Sequence, residues 1–250
     1  MHTLISYIIK TKVSIIIPTF NNLEKLKQCI FSLQIQRYTE FEVWIIDGAS
    51  TDGTIDFLKT LPSKFKFISE KDNGIYDAMN KGIDLAHGEW LYFMGADDKL
   101  FSNLTLFSIF YSKNFDDVKL IIGNVTYDGN QNFNSSFSSK LWIKNTLHHQ
   151  SVFYKKILFK TRKYDTSFKV LSDYHFNLYL YNKKINHIKI NETIAICGAE
   201  GISKNYDWNL YREDIRLKIK NSNTLFIIFF WILGMSKYLF RKLNKKPASK

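Results

Sequence analysis

Two adjacent carboxylates, Asp97 and Asp98, directly follow a strongly apolar stretch of the chain. Residues 90–94 are apolar and aromatic throughout, which is typical of a strand covered on both faces, and Gly95 then permits a turn. In open α/β sheets, ligands bind outside the carboxyl ends of the strands, and hard divalent cations take oxygen ligands and bridge to phosphates. The pair therefore indicates a cation site, with a solvated turn capped by Asp98 as the alternative.

A third carboxylate, Asp47, ends an earlier apolar run at residues 41–47. Because the carboxyl ends of parallel strands share one edge of a sheet, Asp47 is expected to face the same crevice as the 97–98 pair. A helix that begins near Gly74 is expected to direct its N-terminus, a favourable position for phosphate, at this edge. Together these features predict a ligand that carries a base and a diphosphate.

The elements that must position these residues alternate regularly in the first half. Apolar strand-like runs at 13–20, 41–47, 64–69 and 90–94 are separated by helical patterns at 23–36, 54–61 and 74–87. This alternation predicts an α/β fold with a doubly wound, mostly parallel sheet and helices on both faces. After residue 100 the pattern is less regular: helices are predicted at 104–111, 172–181 and 207–220, strands at 118–127 and 185–196, and a flexible loop at 128–139, while 152–159 is ambiguous.

The C-terminus combines an apolar segment with a basic tail. The apolar segment runs from residue 225 to 235, and six of the 35 Lys and Arg residues come after residue 236: Lys237, Arg241, Lys242, Lys245, Lys246 and Lys250. Extended to Phe240, it would form a helix of roughly 24 Å, against about 30 Å of hydrocarbon in a bilayer. We predict that residues 221–250 form a membrane-associating helix in or near the membrane plane, followed by a basic tail. A core helix with a disordered tail is the alternative.

Composition limits the remaining possibilities. The 250 residues are 45 % apolar and carry a formal net charge of +12, an excess that attracts nucleic acid, anionic lipid or phosphorylated substrates. Cys29 and Cys197 are the only cysteines, which excludes a disulfide framework and a zinc ribbon and favours a reducing cytoplasm. Dinucleotide, P-loop and serine-hydrolase motifs are absent from the sequence. His148 and His149 lack further ligands at zinc spacing, so acceptor-region residues and core histidines both remain possible.

Four blocks of the sequence resemble the family-2 glycosyltransferases, in particular the branch that builds bacterial surface polysaccharides such as colanic acid, O-antigen and capsule. The blocks read VSIIIPTFN at 13–21, IIDGASTDGT at 45–54, SEKDNGIYDAMNKGI at 69–83 and GEWLYFMGADD at 88–98. Beyond residue 100 the likeness depends on the His-His-Gln sequence at 148–150 and on two short stretches at 164–165 and 172–174. Within the fourth block, Gly95 stands where the family usually has Asn.

The resemblance implies a GT-A-type domain over residues 1–220, with a nucleotide-sugar-binding half at 13–100 and an acceptor half at 101–220. Asp173 would be the catalytic base, Asp98 would bind the metal, and His148 and His149 would belong to the acceptor region. The residues implied for donor binding are Pro18, Thr19, Phe20, Asp47, Asp72, Tyr76, Asn80 and Asp97. Asp173 also follows Ser172, where the family often has an acidic residue, and a helix N-cap is its alternative role.

The resemblance also implies inverting transfer from a nucleotide-diphosphate sugar, most simply a UDP-sugar, with Mn²⁺ or Mg²⁺. The acceptor would be a lipid-linked saccharide in bacterial surface polysaccharide synthesis. We expect the protein to act in the cytoplasm, peripherally on the inner face of the cytoplasmic membrane and its anionic surface, without nucleic acid. A nucleotidyltransferase and a non-catalytic basic nucleic-acid-binding or scaffold protein are the alternatives.

Overall fold

The computed structural model of the chain describes residues 12–111, 113, 115–127, 131–198 and 207–243. In its first half, parallel strands pair in the order β3-β2-β1-β4. These strands are β1 (Val13–Thr19), β2 (Phe41–Asp47), β3 (Phe65–Ser69) and β4 (Trp90–Phe93). The alternating pattern of the sequence is confirmed here, and the carboxyl ends of the four strands share one edge.

Helices cover both faces of this parallel half. α1 (Leu23–Gln34), α2 (Thr54–Lys59) and α3 (Ile75–Leu85) connect the strands. Ile15 packs in one buried cluster with the inner face of α1, whereas Ile16, its neighbour on β1, packs in another with α3. Successive strand side chains point to opposite faces of a sheet, so an uninterrupted apolar strand requires a cover on each side.

The second half completes a mixed sheet of nine strands in the described part of the chain, in which β8 lies antiparallel between β4 and β6. β9 runs parallel to β6, and β5 and β7 pair antiparallel with β9 and β6. The elements are β5 (Lys99–Leu100), α4 (Thr105–Phe110), β6 (Leu120–Tyr127), β7 (Gln131–Asn134), β8 (Val152–Lys155), α5 (Ser172–Asn182) and β9 (His187–Cys197). The first half is parallel throughout, as expected, whereas the second half mixes one parallel pair with several antiparallel ones, for which short strands need no crossover helix.

Two local expectations change in this half. Part of the loop predicted at 128–139 is strand β7, and residues 128–130 lie outside the described ranges. The ambiguous stretch at 152–159 divides into β8 and a short 3-10 helix, Lys156–Phe159. Two further 3-10 helices, Ser139–Trp142 and His149–Ser151, connect β7 to β8.

The described part of the chain ends in two helices, α6 (Trp208–Asn221) and α7 (Ile227–Leu243), which pack on each other. Most large apolar side chains of α7 are exposed. By length and composition, residues Thr224–Leu243 form a helix that could cross a membrane. Residues 1–11 of the predicted domain and the basic residues after 243 lie outside the described ranges. Cys29 and Cys197 are both buried and form no disulfide with each other.

Candidate active site

A large cleft of about 1230 Å³ opens at the carboxyl ends of β1 and β4. Both halves of the chain and helices α6 and α7 contribute to its walls. The predicted site residues that line it are Pro18, Thr19, Phe20, Tyr76, Asp97, Asp98, His148, His149 and Asp173. Asp47, Asp72 and Asn80 are not among the lining residues. The structure thus brings most of the residues predicted from separate blocks to one cavity.

Asp47 and Thr19 leave unsatisfied polar atoms at the ends of adjacent strands. The Oδ2 atom of Asp47 accepts hydrogen bonds from the Ser50 backbone N–H at 3.0 Å and from the Ser69 hydroxyl at 2.6 Å. Its Oδ1 atom and the hydroxyl of Thr19 are buried without a hydrogen-bond partner in the described residues. Thr19 and Asp47 are paired across β1 and β2. A buried acceptor beside a buried hydroxyl suits the ring N–H and carbonyl of a nucleobase.

Asp72 lies at the same strand end. A Cβ atom added to Gly48 would lie 2.9 Å from Asp72 Oδ2 and 3.3 Å from the Phe20 ring, so both side chains border this glycine. Asp72 Oδ1 accepts from the Gly74 backbone N–H at 2.9 Å, just before α3. Gly74 has φ 114°, a conformation that favours glycine. Asp72 therefore shapes the turn into α3 next to the predicted base pocket.

Asp98 is held by protein hydrogen bonds on both of its oxygens. Oδ2 accepts from the Gly95 backbone N–H at 2.8 Å and from the Gln150 side-chain amide at 2.7 Å. Oδ1 accepts from the Gly198 backbone N–H at 3.0 Å, and the residue is only 2 % exposed. These bonds use three of the roughly four acceptor positions of an ionised carboxylate, so Asp98 keeps less capacity for a metal than a carboxylate without such donors, and its metal-binding role stays a prediction.

Asp97 has a different environment from its neighbour. It is half-buried and lines the cleft, and a Cβ atom at Gly198 would collide with its carboxylate. In the described part of the chain, no group of three or more His, Cys, Asp or Glu residues could hold a metal by itself. Mg²⁺ commonly binds one or two carboxylates together with substrate phosphates. A single cleft carboxylate such as Asp97 therefore fits an ion that is shared with a diphosphate.

Asp173 lies in the first turn of α5 and joins two other predicted residues. The hydroxyl of Tyr76 is 2.8 Å from Asp173 Oδ1 and 2.6 Å from the carbonyl of Val170. Nδ1 of His149 lies 3.3 Å from Asp173 Oδ2. The N-cap residue of α5 is Leu171, which makes no side-chain capping hydrogen bond. The capping alternative for Asp173 is therefore wrong, and its carboxylate is instead directed at the cleft wall.

The protonation state of Asp173 follows from these contacts. Burial raises the pKa of its carboxyl, but the hydrogen bond and charge of His149 and the hydrogen bond from Tyr76 outweigh burial, and the pKa lies below its usual value. Burial and the nearby Asp173 carboxylate raise the pKa of Tyr76 well above its usual value. At neutral pH, Asp173 is thus ionised and Tyr76 is protonated, so the tyrosine donates and the carboxylate can accept a proton.

The two adjacent histidines both border the cleft rather than the core. Their rings stack with centroids 5.7 Å apart, and the His148 ring also packs edge-on against Tyr127 and Phe133, at 5.7 Å from each. These contacts place His148 beside β6 and β7, on the acceptor half. His149 points instead to Asp173.

Asn80 connects the halves of the chain. Its amide donates to the carbonyl of Tyr164 at 2.9 Å, and its Oδ1 accepts from the Tyr164 backbone N–H at 3.0 Å. Both polar atoms of the side chain are therefore used away from the cleft. Asn80 fixes α3, and with it Tyr76, against the second half, and its contacts do not suit the donor contact implied by the resemblance.

Several residues of the cleft were not assigned from the sequence. Gln150 belongs to the His-His-Gln sequence noted above, yet its bond to Asp98 could not be inferred from local pattern. Gly198, Asp214, Lys237 and Arg241 also line the cleft. From the sequence, Lys237 and Arg241 are expected in the membrane-associating tail. A segment of mixed apolar and basic residues does not reveal which face of its helix packs on the rest of the fold.

Residues 14–188 match the sequence pattern of the family described as Glycosyl transferase family 2. The chain is 37 % identical over 173 residues to a PGL/p-HBAD biosynthesis glycosyltransferase of Mycobacterium bovis (strain BCG / Pasteur 1173P2), across 66 % of this chain and 68 % of that protein. The chain is also 30 % identical over 96 residues to an uncharacterized glycosyltransferase, YibD, of Escherichia coli (strain K12). This shorter match covers 37 % of this chain and 28 % of that protein.

Solved structures share the fold at low sequence identity. S. aureus TarS 1–349 in complex with UDP-GlcNAc superposes with a TM-score of 0.69 at 18 % identity, covering 94 % of this chain and 73 % of that one. The mannosyltransferase PcManGT from Pyrobaculum calidifontis, in complex with GDP-Man and Mn²⁺, superposes with a TM-score of 0.62 at 18 % identity, covering 94 % and 76 %. These likenesses confirm the predicted GT-A-type fold.

Proposed function

The chain belongs to glycosyl transferase family 2, and from that premise we propose that it transfers a sugar from a nucleotide-diphosphate donor to a lipid-linked saccharide acceptor, with inversion. The observation that carries this proposal is the ionised Asp173 carboxylate, held by Tyr76 and His149 in the same cleft as Asp97. Family membership favours sugar transfer over the nucleotidyltransferase and scaffold alternatives.

The donor's nucleotide is assigned to the strand ends of the first half. The buried, unpartnered Oδ1 of Asp47 and hydroxyl of Thr19 would bind polar atoms of the base, and Pro18 and Phe20 would line its pocket. A base that pairs with both atoms would remove the cost of leaving them unsatisfied, which is about 1–3 kcal/mol for each group. A UDP-sugar is the donor we favour, supported by the TarS complex with UDP-GlcNAc.

The diphosphate is assigned to the region of Asp97. We propose that Asp97, rather than Asp98, would hold Mn²⁺ or Mg²⁺ together with the donor's phosphates, while Asp98 keeps the backbone around Asp97 in place. When bound, such an ion stabilises the negative charge that develops on the leaving diphosphate. The PcManGT complex with GDP-Man and Mn²⁺ supports a metal in this fold.

Asp173 is the general base in this proposal. Inversion needs one displacement at the anomeric carbon, in which the acceptor oxygen bonds to that carbon, the nucleoside diphosphate leaves and a base takes the hydroxyl proton. The Tyr76 hydroxyl and His149 hold the carboxylate ionised and oriented for that proton. A positioned general base contributes about 10²–10⁴-fold to the rate.

We place the enzyme in bacterial surface polysaccharide synthesis, peripheral on the inner face of the cytoplasmic membrane. The role in polysaccharide synthesis follows from the resemblance of the four sequence blocks, and the membrane location is supported by the exposed apolar side of α7, which includes Ile228 and Ile232. The inner side of the same helix packs on α6, where Gly234 meets Ile215. A helix with one side occupied by protein fits an orientation in the membrane plane better than a span.

The decisive variant is Asp173→Asn, assayed with UDP-sugars, Mn²⁺ and a membrane extract that contains lipid-linked acceptors. We expect the transfer rate to fall about 10²–10⁴-fold, with unchanged UDP affinity in calorimetry, because the amide cannot take the hydroxyl proton but keeps the shape of the side chain. Asp117→Asn, on an exposed surface carboxylate, is the matched control.

Transfer at the wild-type rate by Asp173→Asn would refute Asp173 as the base. Failure of the wild-type protein to bind or turn over any UDP-, GDP- or dTDP-sugar would refute the function itself. Folding of each variant is verified by thermal melting.

A further inference from the structure

Helix α7 has two chemically different sides. Its outward side is apolar and exposed, and consists of Ile228, Phe229, Ile232, Met235, Leu239 and Leu243. Its inward side follows helical spacing through Phe230, Gly234, Lys237 and Arg241. Phe230 is 4 % exposed and stacks on Trp142 at 5.7 Å. The inward side therefore begins as a packing surface and ends in two cations.

Both of these cations border the cleft that contains Asp173. Lys237 and Arg241 line its wall, together with Lys144 and Asp214. They are consequently directed away from the apolar side of α7, by roughly half a helical turn. Cations that served only to attract a membrane surface would be expected beside the apolar side.

A buried lysine behind Lys237 adds a further positive charge. Lys218 is 1 % exposed, and its ammonium lies 2.7 Å from Asp214 Oδ2. The Lys237 ammonium lies 3.3 Å from the same oxygen, and both ammonium groups donate to the carbonyl of Ile143. Among these described contacts, two ammonium groups share one carboxylate.

The electrostatic consequence is a local preference for an additional anion. Burial lowers the pKa of Lys218 to about 8, the Asp214 carboxylate opposes this effect, and the Lys237 ammonium adds to it. An anion next to Lys237 would offset the repulsion between the two ammonium groups. Phosphate oxygens form strong charge-assisted hydrogen bonds with lysine and arginine.

We propose that Lys237 and Arg241, supported by Lys218, bind the phosphate of a lipid-linked acceptor whose hydrocarbon chain leaves the cleft past Phe240, which lines the cleft and is exposed, towards the apolar side of α7. This inference rests on the proposed function, since it assigns the acceptor of that reaction to the α6–α7 wall. The lipid would stay in the membrane, the phosphate would bind at the cleft wall, and the attached saccharide would extend towards Asp173.

The test is binding of farnesyl phosphate to the full chain in detergent, in the absence of donor. We expect saturable binding, and no comparable binding of farnesol or inorganic phosphate, because the site requires both the anion and the chain. Lys237→Met should weaken the binding about tenfold or more, the change that corresponds to one charge-assisted hydrogen bond. Lys140→Met is the matched control, because Lys140 is exposed nearby and does not line the cleft.

Two further measurements separate this site from the donor site and from a loss of folding. Added UDP should leave farnesyl phosphate binding unchanged, and UDP affinity should be the same in wild type and Lys237→Met. Lys237→Arg should retain most of the binding, and Arg241→Gln should reduce it at an unchanged melting temperature.

Displacement of farnesyl phosphate by UDP would assign the cations to the donor and overturn the proposal. Equal affinity for inorganic phosphate and farnesyl phosphate would show that the site does not recognise the hydrocarbon chain, and would overturn the proposal that the phosphate belongs to a lipid. Equal binding by wild type, Lys237→Met and Arg241→Gln would overturn the site itself, while sugar transfer dependent on Asp173 would remain possible.

Discussion

Asp97 and Asp98 are adjacent in sequence, but the same substitution should affect them differently. Asp97→Asn should abolish the increase in UDP affinity on adding Mn²⁺ at a nearly unchanged free energy of unfolding. Asp98→Asn should lower the free energy of unfolding by about 1.5–3 kcal/mol, because its new amide would face N–H donors that now bind a charged carboxylate. Calorimetric titration with and without Mn²⁺, and chemical denaturation, measure the two effects.

The reverse pattern would contradict this assignment. If Asp98→Asn folds with wild-type stability and loses the response to Mn²⁺, while Asp97→Asn keeps that response, then the metal belongs to Asp98. EDTA should lower the UDP affinity of the wild-type protein under the same conditions.

The sequence identified the carboxylates of the site but not which of them is open to a metal and which is held by protein hydrogen bonds. Strand-end position explains why Asp47, Asp97 and Asp98 meet at one edge. It does not reveal which member of the 97–98 pair is turned inward, because that depends on Gln150 and Gly198, which lie 52 and 100 residues further along the chain from Asp98. The bond between Tyr76 and Asp173 spans 97 residues and was likewise beyond any local pattern.

Among the helices, α7 depends on a close approach to α6 at Gly234. A Cβ atom there would overlap the Ile215 side chain, so Gly234→Leu should separate the helices and lower the free energy of unfolding by about 1–3 kcal/mol. Ile215→Ala should restore part of the loss in the double variant. Ser236→Leu, two residues away on the exposed side, is the control, and chemical denaturation provides the values.

A Gly234→Leu variant as stable as Ser236→Leu would show that α7 does not pack at this point.

The elements of the first half were predictable from the sequence because long apolar strands and helical spacing alternate there. The second half was less so, since β5, β7 and β8 are two to four residues long and are too short to display a period. Their pairing is set by the neighbouring strands β4, β6 and β9, and for β5 and β8 these neighbours are distant in sequence.

For the molecule as a whole, membrane association should depend on the apolar side of α7 rather than on net charge alone. Ile228→Glu with Ile232→Glu should weaken binding to vesicles containing phosphatidylglycerol at least tenfold, because burial of each isoleucine contributes about 1.5–3 kcal/mol. The melting temperature should remain unchanged, since both side chains are exposed. Phe31→Glu, at an exposed position on α1, is the control, and vesicle co-sedimentation is the measurement.

Equal sedimentation of the wild type and the double glutamate variant would exclude α7 as the membrane contact.

The net charge of +12 is compatible with several anionic partners and does not choose among them. The folded chain directs part of that charge inward, at Lys218 and Lys237, so a total count overstates what the outer surface presents.

The hydrogen bonds around Asp98 and Asp173 join the first hundred residues to the remainder. Gln150 and Gly198 reach back to Asp98, and Tyr76 reaches forward to Asp173. A recombinant gene with a crossover near residue 100 would therefore inherit two incomplete sites unless the second parent supplies the same Gln and Gly for Asp98 and the same Asp for Tyr76. Exchange of segments among relatives is then restricted to parents that match at these few positions, however freely the rest of the sequence diverges.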